Sequence, residues 1–386
     1  MFSGEVSRVP VDLNVYRAGA DAVRQGEALY AMRMPTNGLP FTYPLFAALL
    51  FVPFSLVPFG VAKVALSAVS LLALVTICIC AARMARLKAA VPVGLALAGF
   101  ALFTEPVSRT FRLGQINLIL VALILLDLTV LRNTRWHGVL IGVATGIKLT
   151  PGLFILYLFM SGRRRASVTA VAAFATTVAF GFLAQPSEAW AFWTHHMLDP
   201  NRVGGVSYVS NQSVLGVVSR LLADDHPSRL LILGIGAVIV AAVMRAARLL
   251  HHRGQELVAV TAVALAALLA SPISWAHHWV WFIPALVSLA AMVDPEQLRS
   301  GDRRAWLAAA TALGWAVLFW IGPMWQVPRE PVRDGIELTA WQTVLAASYF
   351  LAGSGYLVWA LSRIRGRDAL TKEPTRDTRA LPLRRA

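Results

Sequence analysis

Long apolar runs recur along the whole chain and are separated by short polar segments. A helix needs about 20 apolar residues to cross a hydrocarbon layer of about 30 Å. Because no water can bind the backbone inside lipid, such runs form helices. We therefore expect an all-α, polytopic membrane domain that occupies residues 1–362. The pattern predicts about nine full spans, near residues 60–82, 89–104, 115–131, 166–184, 229–249, 256–270, 279–293, 305–322 and 340–362.

Residues 137–160 do not fit this pattern as a single span. They lie between two basic loops, and their middle reads GIKLTPG, which contains Lys148 and Pro151. Since proline and glycine interrupt helices, the segment predicts two half-helices of about 16 Å each, at about 1.5 Å per residue. Lys148 then lies at the tip of a broken, re-entrant pair. The alternative is one kinked span, with one basic loop on the opposite side.

The composition agrees with a membrane protein. The chain has 386 residues, of which 57% are hydrophobic and 14% are charged, whereas a soluble domain has about 25% charged residues. The formal charge of +15 comes largely from arginines in short loops between the apolar runs, which is typical of cytoplasmic loops. Nucleic-acid binding needs a basic face on a folded domain, so no nucleic-acid partner is predicted.

The basic loops also predict the orientation. The C-terminal tail, residues 363–386, is basic and contains proline, and we expect it to be cytoplasmic and disordered. The other segments predicted to be cytoplasmic are 83–88, 132–135, 162–165, 245–256 and 299–304. The segments predicted to lie outside are 1–59, 105–114, 185–228, 271–278 and 323–339.

The N-terminal segment, residues 1–44, is polar and has no signal-peptide pattern. If the next span runs inward, this segment lies outside, so we expect a span before residue 1 that this chain lacks. FTYPLFAALLFVPFSLVP, at 41–58, is predicted to form a helix that lies along the outer interface.

Asp12 is the first candidate for chemistry. It lies in DLNVYR, in the first outer segment, and Tyr16 and Arg17 follow it. A carboxylate acts as a general base when a bound hydroxyl comes within hydrogen-bond reach. The other interpretation is a helix N-cap, since Asp12 directly precedes a helical pattern.

The second candidate is RTFRLGQINL, at 109–118. Arg109 and Arg112 lie on the side where arginine is disfavoured, which suggests an anionic ligand such as a lipid phosphate. Gln115 and Asn117 stand at the start of a span, where their amides can bind sugar hydroxyls. The alternative for these amides is hydrogen bonding between helices, worth about 0.6–2 kcal/mol per bond.

The long outer loop, residues 185–228, contains FWTHHMLDPN and SNQSVLGVVSRLLADDHP. NQS at 211–213 is formally an N-glycosylation acceptor, which is a weak signal. The helical spacing of apolar residues from Val214 to Leu222 predicts a short amphipathic helix on the interface.

SPISWAHHWVW, at 271–281, places His277 and His278 among three tryptophans. Adjacent helical residues point about 100° apart, and helical zinc ligands are normally four residues apart, so no zinc site is predicted. Tryptophans are typical of the membrane interface. A histidine at this depth can donate a hydrogen bond to a phosphate or a sugar oxygen.

Most of these candidates fall in segments that the basic loops assign to the outer face. A transporter is expected to place its polar groups near the midplane, between paired broken helices, and only Lys148 fits that description. The sequence therefore predicts one outward-facing site.

Six motifs, in their order along the chain, resemble the GT-C glycosyltransferases of family 87: DLNVYR, FTYPLFAALL, RLGQINLIL, GIKLTPGLFILYL, NQSVLGVV and SPISWAHHWVW. The resemblance covers roughly residues 11–360 and implies a GT-C type bundle. Two features depart from the family. It normally has a helix before the DLxVY segment, and its aromatic loop often reads TYPP, where this chain has Leu45 after Pro44.

The family includes polyprenyl-phosphate-mannose-dependent α-(1→2)-mannosyltransferases of phosphatidylinositol mannosides and lipoarabinomannan. The resemblance implies that Asp12 deprotonates an acceptor hydroxyl, which displaces the lipid phosphate in one inverting step. Positive groups stabilise the leaving phosphate, and the candidates are Arg112, Lys148, His277 and His278. Further substrate contacts are predicted for Tyr16, Arg17, Tyr43, Gln115, Asn117, Asn211, Gln212 and Trp275.

The expected partners are a polyprenyl-phosphate sugar donor, a glycolipid or lipoglycan acceptor, and membrane lipid. The expected location is the bacterial plasma membrane, with the site on the outer face. No cofactor or metal site is predicted, and the sequence leaves a divalent-metal requirement open. The alternative enzyme is a polyprenyl-phosphate-arabinose-dependent arabinofuranosyltransferase of the same family. The alternative from another class is a transporter or flippase of lipid-linked sugars.

Overall fold

Helices make up nearly all of the regular structure in the computed structural model, which describes residues 10–197, 199, 202 and 204–365. No strand is present among these residues, and an isolated bridge pairs Asn211 with Trp275. The α-helices are α1 Val11–Gln25, α2 Leu45–Ser55, α3 Phe59–Met84, α4 Ala90–Ala101, α5 Glu105–Leu113, α6 Asn117–Thr129, α7 Val139–Ile147, α8 Leu153–Met160, α9 Arg164–Ala184, α10 Pro186–Ala191, α11 Val214–Leu222, α12 Arg229–His252, α13 Glu256–Ala270, α14 Phe282–Ala290, α15 Pro295–Arg299, α16 Arg303–Ile321, α17 Ala340–Ala346 and α18 Ser348–Arg365. Short 3-10 segments cover Thr150–Gly152, Ala276–Trp281 and Pro323–Gln326, and a π-turn covers Phe192–His196.

Four helices, α3, α9, α12 and α16, are long and apolar enough to cross a membrane. Two bent pairs, α4 with α5 at 71° and α17 with α18 at 70°, raise the number to six if each pair is one span. The long helices expose large apolar side chains, such as Val64 at 70% and Leu230 at 83%. Such surface is unfavourable in water and suits lipid. The chain is thus an all-helical, multi-pass membrane protein.

The expected nine full spans are not confirmed. Of the predicted spans, α6 has 13 residues and α13 has 15, so each is only about 20 Å long at about 1.5 Å per residue. Both helices are largely buried inside the bundle. Their apolar sequences therefore reflect burial against other helices, which composition alone does not separate from contact with lipid.

The predicted break at Lys148 is present. Lys148 ends α7 in an extended conformation, with φ −149° and ψ 133°, and the 3-10 turn at 150–152 leads into α8. Pro151 has no N–H with which to continue the hydrogen bonds of α7. The start of α7 is held by Asp127, whose carboxylate accepts from the N–H groups of Gly138 at 2.6 Å and Ile141 at 3.0 Å.

The first helix, α1, is not among the candidate spans. It packs against α2, where Tyr16 stacks on Phe51 with ring centroids 4.3 Å apart. It also meets the turn after α5, where Gly114 has φ +71° and a Cβ atom would lie 2.8 Å from Leu13 Cβ. Only glycine fits this turn without strain, and the close approach carries Gln115 to the start of α1.

The amphipathic helix predicted from Val214 to Leu222 is confirmed as α11, with Val217 buried and Leu221 61% exposed. The loop before it is bound to the chain that precedes the two histidines. Gln212 N donates to Ser274 O at 2.8 Å, and Ala276 N donates to Ser210 Oγ at 3.0 Å.

The expectation that all three tryptophans of SPISWAHHWVW lie at the interface is wrong for two of them. Trp279 is fully buried and Trp281 is 7% exposed. Trp279 packs on Gly353, where a Cβ atom would come within 2.7 Å of its ring, and Trp281 stacks on Phe154. Both are core residues that fix the position of the histidine segment. The predicted disordered tail, residues 363–386, begins too early, because α18 continues to Arg365. The rest of the tail lies outside the described residues.

Candidate active site

Gln115 is the centre of a buried polar cluster. Its Oε1 accepts from Tyr16 Oη at 2.9 Å, from Tyr43 Oη at 3.3 Å and from Asn117 Nδ2 at 3.5 Å. Its amide also lies within hydrogen-bonding reach of the Asp12 carboxylate. Because Oε1 is already occupied by donors, Nε2 is the atom left to donate to Asp12. Four residues that were predicted to contact the substrate thus lie beside Asp12: Tyr16, Tyr43, Gln115 and Asn117. The amides of Gln115 and Asn117 also join separate segments of the chain.

Asp12 is the second residue of α1, whose N-cap is Pro10 and has no side-chain cap. The alternative that Asp12 is the N-cap is therefore wrong. The side chain is half-buried. Loss of hydration raises the pKa of Asp12 to about 6, while Gln115 and the charge of Lys148 oppose the rise. Above that pH the carboxylate is ionised and can accept a proton, as a general base requires.

Lys148 connects this cluster to the histidines. Its Nζ donates to Asn117 Oδ1 at 3.2 Å and lies 3.0 Å from His278 Nε2. An ammonium group only donates, so Nε2 of His278 is the acceptor and its proton is on Nδ1. The ammonium also lies 5.6 Å from the centre of the Tyr43 ring. The third N–H of Lys148 and the Nδ1–H of His278 remain as donors for an anion.

His277 is held mainly through its backbone. Its carbonyl oxygen accepts from Asn117 Nδ2 at 3.2 Å and from Thr110 Oγ1 at 3.4 Å. The ring is 6% exposed, and its Nε2 is buried with no hydrogen-bond partner in the described part of the chain. The two histidine rings are nearly perpendicular, at 88°. No group of three or more potential metal ligands occurs among the described residues.

An open cavity lies next to the cluster, with about 490 Å³ of space that includes part of the surroundings. Asn117, Lys148 and His278 form its polar end. The rest of its wall is mainly apolar and comes from α6, α8, α13 and the turn at 150–152. This lining suits an apolar chain that carries one anionic group.

Several predicted residues lie away from the cluster. Arg17 donates to Val57 O at 2.8 Å, at the junction of α2 and α3. Arg112 is exposed on α5 and makes no hydrogen bond or ion pair within the described residues. Trp275 is half-buried beside Tyr208, with ring centroids 5.9 Å apart. The predicted contact of Arg112 with a donor phosphate stays a prediction.

Asn211 and Gln212 are fully buried and use their amides inside the protein. Asn211 Nδ2 donates to Val206 O and Pro272 O, and its Oδ1 accepts from Ser274 N at 2.9 Å. Gln212 Nε2 donates to Ala346 O at 2.7 Å, and its Oε1 accepts from the first N–H groups of α18. In this arrangement no amide group of either residue is free for a substrate.

Glu105 is not among the candidates of the sequence analysis. This buried carboxylate pairs with Arg109 at 2.7 Å and accepts from Trp325 Nε1 at 2.8 Å and Tyr349 Oη at 3.1 Å. The signal was present in TEPV at 104–107, since an acidic residue and a proline after threonine mark a helix start. The charge pattern instead predicts that residues 105–114 lie in an outer segment.

Comparison with known proteins decides the class of this site. The model of glycosyltransferase family 87 matches residues 41–272, more than half of the chain. The chain belongs to glycosyltransferase family 87. It is therefore a glycosyltransferase, and the alternative of a transporter is not supported.

Relatives with known names match most of the chain. A Mycobacterium tuberculosis protein is 32% identical over 92% of this chain and 83% of its own length, and is named polyprenol-phosphate-mannose-dependent alpha-(1-2)-phosphatidylinositol mannoside mannosyltransferase. A Mycolicibacterium smegmatis protein, named as the corresponding phosphatidylinositol pentamannoside mannosyltransferase, is 37% identical over 83% of this chain and 79% of its own length. No solved structure matches this family 87 chain.

Proposed function

We propose that this glycosyltransferase transfers mannose from polyprenyl-phosphate-mannose to a phosphatidylinositol mannoside or related lipoglycan in α-(1→2) linkage. The observation that carries the proposal is the joined cluster of Asp12, Gln115, Lys148 and His278 at the end of an apolar cavity. The names of the relatives favour mannose over arabinose. An arabinofuranosyl donor remains an outcome that the experiment below distinguishes.

In the proposed reaction, Asp12 takes the proton of an acceptor hydroxyl while that oxygen attacks the anomeric carbon of mannose. The bond between this carbon and the donor phosphate oxygen breaks, and the electron pair leaves with polyprenyl phosphate. A single displacement inverts the anomeric centre, so a β-linked donor gives an α product. No general acid is needed, because a phosphate monoester is a stable leaving group.

Lys148 and His278 are proposed to bind the donor phosphate. Each keeps one N–H that no described residue uses, and both face the polar end of the cavity. Charge that builds up on the leaving phosphate is stabilised most by donors that are already fixed. Asn117 fixes Lys148, and the backbone contacts of His277 fix the neighbouring histidine. The polyprenyl chain is proposed to occupy the apolar part of the cavity.

The location is also a proposal. The charge pattern of the loops favours a single domain, residues 1–362, in the bacterial plasma membrane, with the site on the outer face and the tail in the cytoplasm. In this scheme Asn211 and Gln212 are positioning residues, because their amides hold the histidine segment and the start of α18.

The test uses membranes that contain the full chain, labelled polyprenyl-phosphate-mannose and a phosphatidylinositol mannoside. We expect transfer by the wild type and its loss in Asp12→Asn. Asp21→Asn, an exposed carboxylate on the same helix that pairs with Arg24, is the matched control and should retain transfer. Transfer from the arabinose donor alone contradicts the choice of sugar, and full activity of Asp12→Asn contradicts the choice of base.

A further inference from the structure

Three aromatic rings and one arginine form a partly exposed surface beside the histidine segment. Tyr208 lies between Trp275 and Trp325, with ring centroids 5.9 Å and 6.2 Å away. The guanidinium of Arg109 lies 3.7 Å from the centre of the Trp325 ring. All four side chains are half-buried. We call this group, Tyr208, Trp275, Trp325 and Arg109, the aromatic platform.

Arg109 is held in one orientation. Its Nε donates to Glu105 Oε1 at 2.7 Å, and its plane lies against Trp325. Glu105 is itself fixed by hydrogen bonds from Trp325 Nε1 and Tyr349 Oη. Gly322 leaves room for Glu105, because a Cβ atom on residue 322 would lie 2.8 Å from Glu105 Cγ. The two terminal amino groups of Arg109 have no partner among the described residues, and its side chain is 24% exposed.

An arginine that is held in one orientation in this way is well suited to bind a phosphate. The planar guanidinium binds two oxygens at once, and the fixed Nε and stacked face reduce the entropy lost on binding. Aromatic rings with open surface, next to such a donor, suit the apolar C–H face of a sugar. The platform therefore matches a ligand that carries a sugar and a phosphodiester together.

The platform is also joined to the proposed catalytic cluster. Arg109 precedes Thr110, whose hydroxyl donates to the His277 carbonyl. The backbone after Tyr208 is bound to the residues before His277, through Ser210 to Ala276 and Gln212 to Ser274. A ligand on the platform thus lies beside the segment that carries the donor-site histidine.

We propose that the aromatic platform binds the headgroup of the acceptor, with a sugar ring against Tyr208 and Trp275 and the phosphodiester on Arg109. This inference rests on the proposed function, since it assigns the second substrate of the same site. The ligand class is a glycosylated phosphoinositide, which carries both groups. A membrane lipid without sugar offers only the phosphate.

The first experiment measures binding of labelled phosphatidylinositol mannoside to the purified full chain in detergent without any donor. We expect Tyr208→Ala to weaken binding about fivefold to tenfold, the scale of one aromatic contact. Tyr208→Phe is the matched control and should bind normally, because the Tyr208 hydroxyl has no hydrogen-bond partner within the described residues. In transfer assays, Tyr208→Ala should raise the acceptor KM and leave the donor KM unchanged.

The second experiment separates the phosphate from the sugar. Glu105→Gln with Arg109→Gln removes the arginine without leaving a buried carboxylate unpaired. We expect this double variant to weaken binding of the phosphatidylinositol mannoside about tenfold or more, and to bind an alkyl α-mannoside without phosphate as the wild type does. Binding of phosphatidylinositol without mannose should be weaker in this double variant than in the wild type, but unchanged in Tyr208→Ala.

The outcomes distinguish the two proposals. Normal acceptor binding by Tyr208→Ala, or an equal rise in both KM values, overturns the platform. Failure of the wild type to bind the acceptor also overturns it. Acceptor binding that depends on Tyr208, in a wild type that transfers no mannose, supports the platform and contradicts the proposed reaction.

Discussion

Replacing Gln115 by leucine removes the amide beside Asp12 at nearly constant volume. A hydrogen bond to a charged group is worth about 1.5–3 kcal/mol, and one pKa unit corresponds to about 1.36 kcal/mol. The pKa of Asp12, which is raised to about 6 in the wild type, should therefore rise further by about one to two units in the variant. A carboxyl with a higher pKa is protonated over a wider range, so transfer is lost at a higher pH.

The assay is the initial rate of mannose transfer between pH 5 and pH 9, with both substrates in excess. For a pKa near 7.5 in the variant, the ionised fraction of Asp12 at about pH 6.5 falls roughly eightfold relative to the wild type. The two proteins should approach the same rate near pH 9. Gln115→Leu should thus move the acidic limb of the pH–rate profile to higher pH.

Tyr16→Phe is the matched control. It removes a different hydrogen bond of Gln115, the one from Tyr16 Oη at 2.9 Å, and leaves the contact with Asp12 in place. Its acidic limb should stay near pH 6. A uniform loss of rate in Gln115→Leu, with the limb unmoved, refutes the reasoning that this amide tunes the base.

Three further changes test other parts of the structure. Gly114→Ala should abolish transfer and lower the unfolding temperature, because φ is +71° and the new methyl meets α1. Gly26 has the same φ but open space around it, so Gly26→Ala should lower the free energy of unfolding by only about 1 kcal/mol. Equal losses of stability in the two variants would contradict the packing argument. Asn211→Ala should lower the free energy of unfolding by about 3 kcal/mol or more, because Val206 O, Ser274 N and Ser213 N lose their hydrogen bonds; an unchanged unfolding midpoint contradicts this. Lys148→Met should raise the donor KM about tenfold but not the acceptor KM, and an equal rise in both refutes its role.

Features that depend on neighbouring residues could be predicted from the sequence. The length of an apolar run gave α3, α9, α12 and α16, and Pro151 gave the break after α7. The proximity of Asp12 to residues 115–117 could be predicted only because both segments were assigned to the outer face and both carry motifs of the family. The glycine that allows it, Gly114, was visible as a residue but not as a contact.

Features set by distant residues could not be predicted. The bend between α17 and α18 has no proline or glycine. It exists because Gln212 accepts from the first N–H groups of α18 and donates to Ala346 at the end of α17. The same contact hides Gln212 from substrates, although its motif suggested sugar binding. Trp279 is a similar case. Tryptophan is typical of the membrane interface, but Trp279 lies in the core because Gly353 leaves room for its ring.

The bridge between Asn211 and Trp275 limits how two distant segments of this chain can vary. The loop at 204–213 and the segment at 272–276 share one set of backbone hydrogen bonds, so a shift of either displaces the other. Side chains that project from this frame, such as Tyr208 of the aromatic platform proposed for the acceptor, can change without displacing it. An insertion or deletion within the frame would break these hydrogen bonds and move the segment that carries His277 and His278.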